Sequence, residues 1–310
     1  MRALIMTLAL LLQAPSSPQR VTPPPVGDAA LALSVDVSLV NVLFTVSDRK
    51  GRFVTSLPME KFRVFDDNKK QVITHFSSET EMPLTIALLI DSSGSIENKV
   101  DFEQEAAIKF LKSVLRERID RALLITFDLR VNLLQDYTDD IAKLARAAER
   151  ITVGGGTPLY DAVFLTATEK LARQPGRRIA IVISDGMDTT SRKSLNEALR
   201  AAQQNDTTIY CISTNSIRRE YMGSDSGNKV LRKLAEETGG RAFFPSKAKD
   251  LDTVFKKLNE ELGAQYTLAY GPGETLQDGA FHRIRIETDD RQLRIQARNG
   301  YFAGRRDGQR

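Results

Sequence analysis

One cysteine and two histidines in 310 residues rule out several kinds of chemistry before any motif is sought. A lone Cys211 cannot build a disulfide framework, and its position in the apolar run TTIYCIS makes it a small buried hydrophobe. His75 and His282 both fall in predicted strands, far in sequence from the polar loops described below, so each reads as structural rather than catalytic. The chain has no HExxH, no Ser/His/Asp order, no P-loop and no GxGxxG, and Gly154–Gly156 lack the lysine that a phosphate loop needs. No enzyme is expected on these grounds. Strong charge is missing as well. The formal net charge is +4 and the sequence pI about 9.1, and no interleaving of basic and aromatic residues points to nucleic acid.

A membrane-spanning run is also lacking. Residues 3–12 form an apolar stretch behind Arg2, too short to span a bilayer, and small residues and prolines follow it. This is the arrangement of a secretory signal peptide, expected over 1–16, which leaves no stable membrane span once it is cleaved. Residues 17–30 then read as a proline-rich tether. Export to the periplasm or the cell exterior is the expectation.

Two apolar runs dominate the middle of the chain. Pro83–Ile90 ends at Asp91, and Arg178–Ser184 ends at Asp185. Short, bounded, branched-rich runs of this kind are buried parallel strands. Open α/β sheets bind ligands outside the carboxyl ends of such strands, where the strand order reverses, so two carboxylates at two such ends can meet. Asp91, Ser93 and Ser95 in DSSGS, Thr157 in GGGTPLYDA and Asp185 in ISDG together supply hydroxyls and carboxylates, the hard oxygen donors that Mg²⁺ takes. Each piece has a plainer reading. DSSGS is also a loop with a helix N-cap, Thr157–Pro158 is also a cap followed by a first-turn proline, and Ser184–Gly186 is also a turn. Their order along converging elements favours one metal site, with Thr157 expected to serve as cap and ligand together.

These residues carry a resemblance. DxSxS, then a Thr, then an Asp, resembles the metal-ion-dependent adhesion site of von Willebrand factor A domains, and all five positions are filled. The resemblance implies direct metal contact by Ser93, Ser95 and Thr157, with Asp91 and Asp185 acting largely through coordinated water. It also implies an open position for a partner's carboxylate. The implied fold is α/β: a doubly wound, mainly parallel six-stranded sheet with helices on both faces, here over residues 82–263. The implied ion is Mg²⁺, with Mn²⁺ or Ca²⁺ in its place as alternatives. With VSLVNVLFTVSD, KFRVFDDNKKQ and NGYFA around it, the whole chain resembles the acidobacterial-type VWFA-related family of exported bacterial proteins.

Flanking segments read differently. Over 31–80 the apolar period is two, with Val35, Val37 and Leu39 on one phase and Val42, Phe44 and Val46 on the next, suggesting a bend near Val40. Phe62–Phe65 and Val72–Phe76 flank a predicted hairpin loop, DDNKKQ, in which Asn68 suits the left-handed conformation. Strands are predicted again at Gln265–Tyr270, Phe281–Glu287 and Leu293–Ala297, within a C-terminal β segment over 264–304 that precedes a basic tail at 305–310. The two segments are expected to pack as a β sandwich with the central domain inserted between them. Arg283 and Arg285, and Arg294 and Arg298, are expected to form solvated strand faces.

The functional expectation is a metal-dependent protein-binding module whose partner presents an exposed Asp or Glu. Arg218, Arg219, Tyr221 and Met222, in the loop after the Thr207–Ser213 strand, are the candidate ligand contacts. An envelope assembly or chaperone-like subunit using the same site is the alternative, and a metal-assisted hydrolase ranks lower.

Overall fold

The computed structural model describes residues 39–78, 82–93, 107–215, 224–272 and 278–303. The expected signal peptide and tether, Val35, Val37, Ser95, the contact candidates Arg218, Arg219, Tyr221 and Met222, and the basic tail all lie outside them.

The N-terminal β segment contributes β1 (Val40–Ser47), β2 (Phe62–Asp66), β3 (Lys69–Gln71) and β4 (Ile73–Ser77). The central part follows with β5 (Leu84–Asp91), β6 (Arg121–Phe127), β7 (Val131–Thr138), β8 (Arg177–Ser184), β9 (Thr207–Ser213) and β10 (Ala242–Phe243). Their order in one six-stranded sheet is β10-β9-β8-β5-β6-β7. All neighbours are parallel except β7, which runs back along β6. Every residue of β5 is buried, as befits a strand with parallel partners on both edges and helices on both faces.

The helices are α1 (residues 107–114), α2 (Ile141–Ala148), α3 (Leu159–Leu165), α4 (Leu195–Gln204), α5 (Ser224–Glu237) and α6 (Leu251–Gly263). Strand alternation divides them. Ile86, Leu88 and Ile90 face α1, α2 and α6 in one core, while Ala87 and Leu89 face α3, α4 and α5 in the other. Each fully buried aliphatic side chain contributes about 1.5–3 kcal/mol, so β5 is a principal source of stability. Local signals set the helix ends. Asp140 caps α2 by accepting from the Ala142 and Lys143 amides, and Ser194 and Glu197 form a reciprocal capping box on α4.

After α6 come β11 (Gln265–Tyr270), β12 (Phe281–Thr288), β13 (Arg294–Ala297) and β14 (Gly300–Phe302). They join the first four strands in two antiparallel sheets, β13-β1-β11-β4 and β14-β12-β2-β3, which enclose a core of Val42, Phe44, Val46, Val64, Tyr266, Leu268, Ile284 and Tyr301. Both sheets therefore mix strands from the two ends of the chain.

Several predicted elements are corrected here. Val40, Val42, Phe44 and Val46 form one buried phase of one strand with no register break, which begins at Val40, where the bend was expected. The hairpin is tighter than predicted: Asp67 and Asn68 alone form the turn, both left-handed at φ 45° and 66°, as a two-residue primed turn demands. β3 then pairs with β2, and Val72, 80% exposed, separates it from β4, which joins the other sheet beside β11.

Arg298 departs from its predicted solvated face. Its side chain is only 10% exposed; the guanidinium donates to Asp206 Oδ1 at 2.5 Å and to the Asn41 carbonyl at 2.7 Å. It thereby ties the sandwich to the loop before β9. A second tie runs through Arg177, whose buried guanidinium donates to Leu262 O at 2.7 Å and Gln265 Oε1 at 2.9 Å, across the junction of α6 and β11. Burial, with Arg116 nearby, lowers the Arg177 pKa to about 10.

Candidate metal centre

The chain passes from β5 to one side of the sheet and returns through β8 to the other, so the strand order reverses between these neighbours. Asp91 ends β5, and Asp185 directly follows β8. Here, at the carboxyl ends of adjacent strands, an open α/β sheet leaves its binding crevice.

Three loops are stitched together at this rim by the backbone. The Gly154 amide donates to Ser92 O at 2.9 Å, and Ser93 and Gly154 form an isolated parallel bridge, joining the first loop to the second. Thr157 N donates to Thr189 Oγ1 at 2.8 Å while Thr189 N donates to Thr157 O at 2.9 Å, joining the second to the third. Gly154 has to be glycine, because a Cβ there would lie 2.5 Å from Asp128 Oδ2. The loops that carry Ser93, Thr157 and Asp185 are thus joined at the rim where Asp91 ends β5.

Asp91 is 7% exposed and its two oxygens are held by hydroxyls. Oδ1 accepts from Ser93 N at 3.0 Å and from Ser93 Oγ at 2.5 Å, and Oδ2 accepts from Ser184 Oγ at 2.6 Å. Burial pushes its carboxyl above the usual range against these hydrogen bonds, and the charge of Asp185 pushes it further. Among the described residues, no lysine or arginine pairs with it. A buried carboxylate beside a second one, without a basic partner, is short of positive charge.

Thr157 lies on the second of these loops. It is 5% exposed, and among the described residues its hydrogen bonds run through its backbone rather than its hydroxyl. The expectation that Thr157 caps α3 is corrected: Pro158 occupies the cap position, with no side-chain capping bond, and Thr157 is fixed through its backbone instead. Its hydroxyl is left to the crevice. The donor set of hydroxyls and carboxylates fits a hard divalent cation.

Sequence reasoning missed the groups that hold these residues in place. Ser184 orients Asp91 and also accepts from Gly186 N at 3.0 Å. The one clue was a hydroxyl at the end of a wholly apolar strand, which needs a partner. Asn215 Nδ2 donates to Asp185 O at 2.7 Å and to Asn228 Oδ1 at 2.9 Å, and Ser213 Oγ donates to the same Asn228 oxygen at 2.8 Å. This chain links the Asp185 loop to the end of β9 and the first turn of α5. Gly186 and Gly227 lie backbone to backbone beneath it: a Cβ on Gly227 would meet Asp185 O at 2.1 Å. Nothing in the sequence pattern distinguishes Asn215, Asn228 or Gly227.

The rim carries exposed apolar side chains too. Leu129 after β6 is 70% exposed, Val153 beside Gly154 43%, and Met187 beside Asp185 39%.

Comparison with known proteins places the fold. The profile of the von Willebrand factor type A domain matches residues 85–257, more than half of the chain. A von Willebrand factor type A structure from Catenulispora acidiphila aligns over 86% of this chain and 74% of its own, at 12% identity and a TM-score of 0.51. Proximal thread matrix protein 1 from the mussel byssus, in a structure with a zinc-occupied MIDAS motif, aligns over 62% of this chain at 16% identity and a TM-score of 0.50; the alignment covers 48% of that protein. Identities this low speak for fold alone. No curated protein matches the chain.

Proposed function

The chain belongs to the von Willebrand factor type A domain family, and from that premise we propose that it is a divalent-metal-dependent protein-binding module, not an enzyme. The observation that carries this reading is a buried Asp91 carboxylate that, among the described residues, meets hydroxyls and a second carboxylate but no cation. Asp91, Ser93, Thr157 and Asp185, joined by Ser95 from outside the described residues, would hold Mg²⁺, or Mn²⁺ or Ca²⁺ in its place. A bound ion of this kind supplies an electrophilic position that an acidic side chain of a partner protein completes. Asp91 and Ser184 hold the hydroxyl of Ser93 in place, and Asn215 fixes the Asp185 backbone.

Leu129, Val153 and Met187 narrow the partner's chemistry. Apolar side chains exposed around a polar crevice suit an acidic residue flanked by apolar ones, since their burial adds affinity while the carboxylate sets position. Both histidines lie in sandwich strands, which supports binding over turnover. The apolar leader sequence supports export, to the periplasm or the cell exterior.

The test is thermal unfolding with EDTA and with millimolar Mg²⁺ or Mn²⁺, for the native chain, Asp91→Ala and Thr157→Ala. Native-state binding at ten times Kd adds about 1.4 kcal/mol, or roughly 3–6 °C for a fold of this size. The expected result is a shift in the native chain that both variants lose. A native chain indifferent to tens of millimolar ion, or variants that keep the shift, would overturn the reading.

A further inference from the structure

The open end of the β sandwich holds a second convergence of ligating atoms, away from the crevice. Asp66 ends β2, Asp67 begins the left-handed turn, and His282 lies in β12, which pairs with β2. One atom from each, Asp66 Oδ1, Asp67 Oδ2 and His282 Nδ1, lies within 4.8 Å of the others.

Each of these three groups has its other polar atom fixed from outside the trio. Asp66 Oδ2 accepts from Tyr270 OH at 3.0 Å, reaching across from the other sheet, and from Tyr301 OH at 2.8 Å. Asp67 Oδ1 accepts from Arg283 N at 2.9 Å. His282 Nε2 lies 3.2 Å from Asp278 Oδ1, and its ring stacks on Tyr301. The inward atoms are one per residue, and two of them, His282 Nδ1 and Asp67 Oδ2, share a hydrogen bond at 2.9 Å whose proton an entering ion would displace. Outer partners that orient carboxylates and fix an imidazole tautomer are the surroundings of a metal site.

An independent observation points the same way. Asp66 is 5% exposed, yet its Oδ1 accepts no hydrogen bond among the described residues; it faces His282 Nδ1 at 4.0 Å. That oxygen is therefore available to a cation held beside the imidazole nitrogen. The spacing also fits. Ligand bonds of about 2.0–2.1 Å in a tetrahedral shell put neighbouring ligand atoms about 3.3 Å apart, and His282 Nδ1 stands 2.9 Å from Asp67 Oδ2 and 4.0 Å from Asp66 Oδ1. Small side-chain adjustments close the difference.

We infer that Asp66, Asp67 and His282 form a second divalent-cation site, selective for a borderline transition ion such as Zn²⁺. An imidazole nitrogen beside two carboxylates prefers such an ion to Mg²⁺, whereas the all-oxygen crevice prefers Mg²⁺. Bound there, the ion would staple the β2–β3 turn to β12.

The test is a Zn²⁺ titration against a competing chelator dye, using the full chain carrying Asp91→Ala so that the crevice is disabled. The expected result is one equivalent of Zn²⁺, undisturbed by millimolar Mg²⁺. His282→Gln added to that background should weaken binding at least tenfold, as should Asp67→Asn, which keeps the turn conformation and the acceptor for Arg283 N. His75→Gln should leave it unchanged. Absence of stoichiometric binding in a chain that is folded by circular dichroism, or binding indifferent to His282→Gln and Asp67→Asn, would overturn the inference and leave an imidazolium–carboxylate cluster. Either outcome is independent of the crevice reading, which the Mg²⁺ shift tests separately.

Discussion

Replacing Gly227 by alanine sets two effects of opposite sign against each other. Gly227 lies in the first turn of α5, and removing a helical glycine for alanine gains about 0.5–1 kcal/mol. The added Cβ, however, would stand 2.1 Å from Asp185 O and 3.2 Å from Asp185 C. Nonbonded carbon contacts settle near 3.5 Å, so α5 or the Asp185 loop has to move by about 1 Å. No flexible side chain can yield instead, because the obstacle is backbone, and the Asp185 carbonyl is itself held by Asn215. Overpacking of this kind costs about 1–3 kcal/mol. The net expectation is destabilisation by roughly 0.5–2 kcal/mol, a fall in Tm of about 1–8 °C, together with a weaker Mg²⁺-induced shift because Asp185 is displaced. Gly263→Ala is the companion control: it sits at the end of α6 with nothing within 4 Å of its added Cβ, so its Tm should hold or rise slightly. Calorimetry of both variants with EDTA and with Mg²⁺ reads the comparison. If Gly227→Ala raises Tm as Gly263→Ala does, α5 does not press on the metal loop and the coupling argued from this contact is refuted.

Two further predictions concern the frame. Asp120 takes four donors, from Leu84 N, Arg116 N and the Arg116 guanidinium; burial works to raise its pKa, but these donors outweigh it and hold it below 3.8. Its stabilising share is therefore present above that value and lost as pH falls through the lowered folded one. Asp120→Asn should cost about 2 kcal/mol at pH 7 in urea unfolding, with the two curves converging in acid; equal stability at pH 7 would exclude the anchor. Cys211 is fully buried and burial pushes its thiol up, so a thiol reagent should label it only as fast as the fold opens, and stoichiometric labelling within minutes in native buffer would contradict that packing.

Sequence periodicity carried the central sheet well, for a physical reason. LTIALLID is buried along its whole length and RRIAIVIS at every position but Arg178, and nothing but a two-sided core tolerates such runs. β14 escaped notice because its three residues, GYF, are too few to show a period. The split between β3 and β4 escaped because Val72 continues the apolar phase in sequence while facing solvent in the fold. At the crevice, Asp91, Ser93, Thr157 and Asp185 could be read from strand ends and loop composition. Ser184, Asn215 and Asn228 could not, because their importance lies in contacts between segments distant along the chain. Arg298 misled for a related reason: alternation placed it beside Arg294, but its target, Asp206, lies before a strand of a different sheet.

The position of β11 bears on how the chain comes together during synthesis. It pairs with both β1 and β4, and Thr267 stands opposite Ser77, so two strands that would ordinarily be joined by a tight turn are separated by about 190 residues. Until β11 is made, β1 and β4 lack the strand that lies between them, and their unpaired edges invite association with other chains. Long-range pairing of this kind is slow, and a domain whose contacts are complete folds first. The central α/β unit is therefore expected to close before the β layers do, bringing β11 to a waiting gap. Any variant that delays that closure lengthens the exposure of those edges, and its cost would be read in aggregation during expression rather than in the melting temperature of the finished protein.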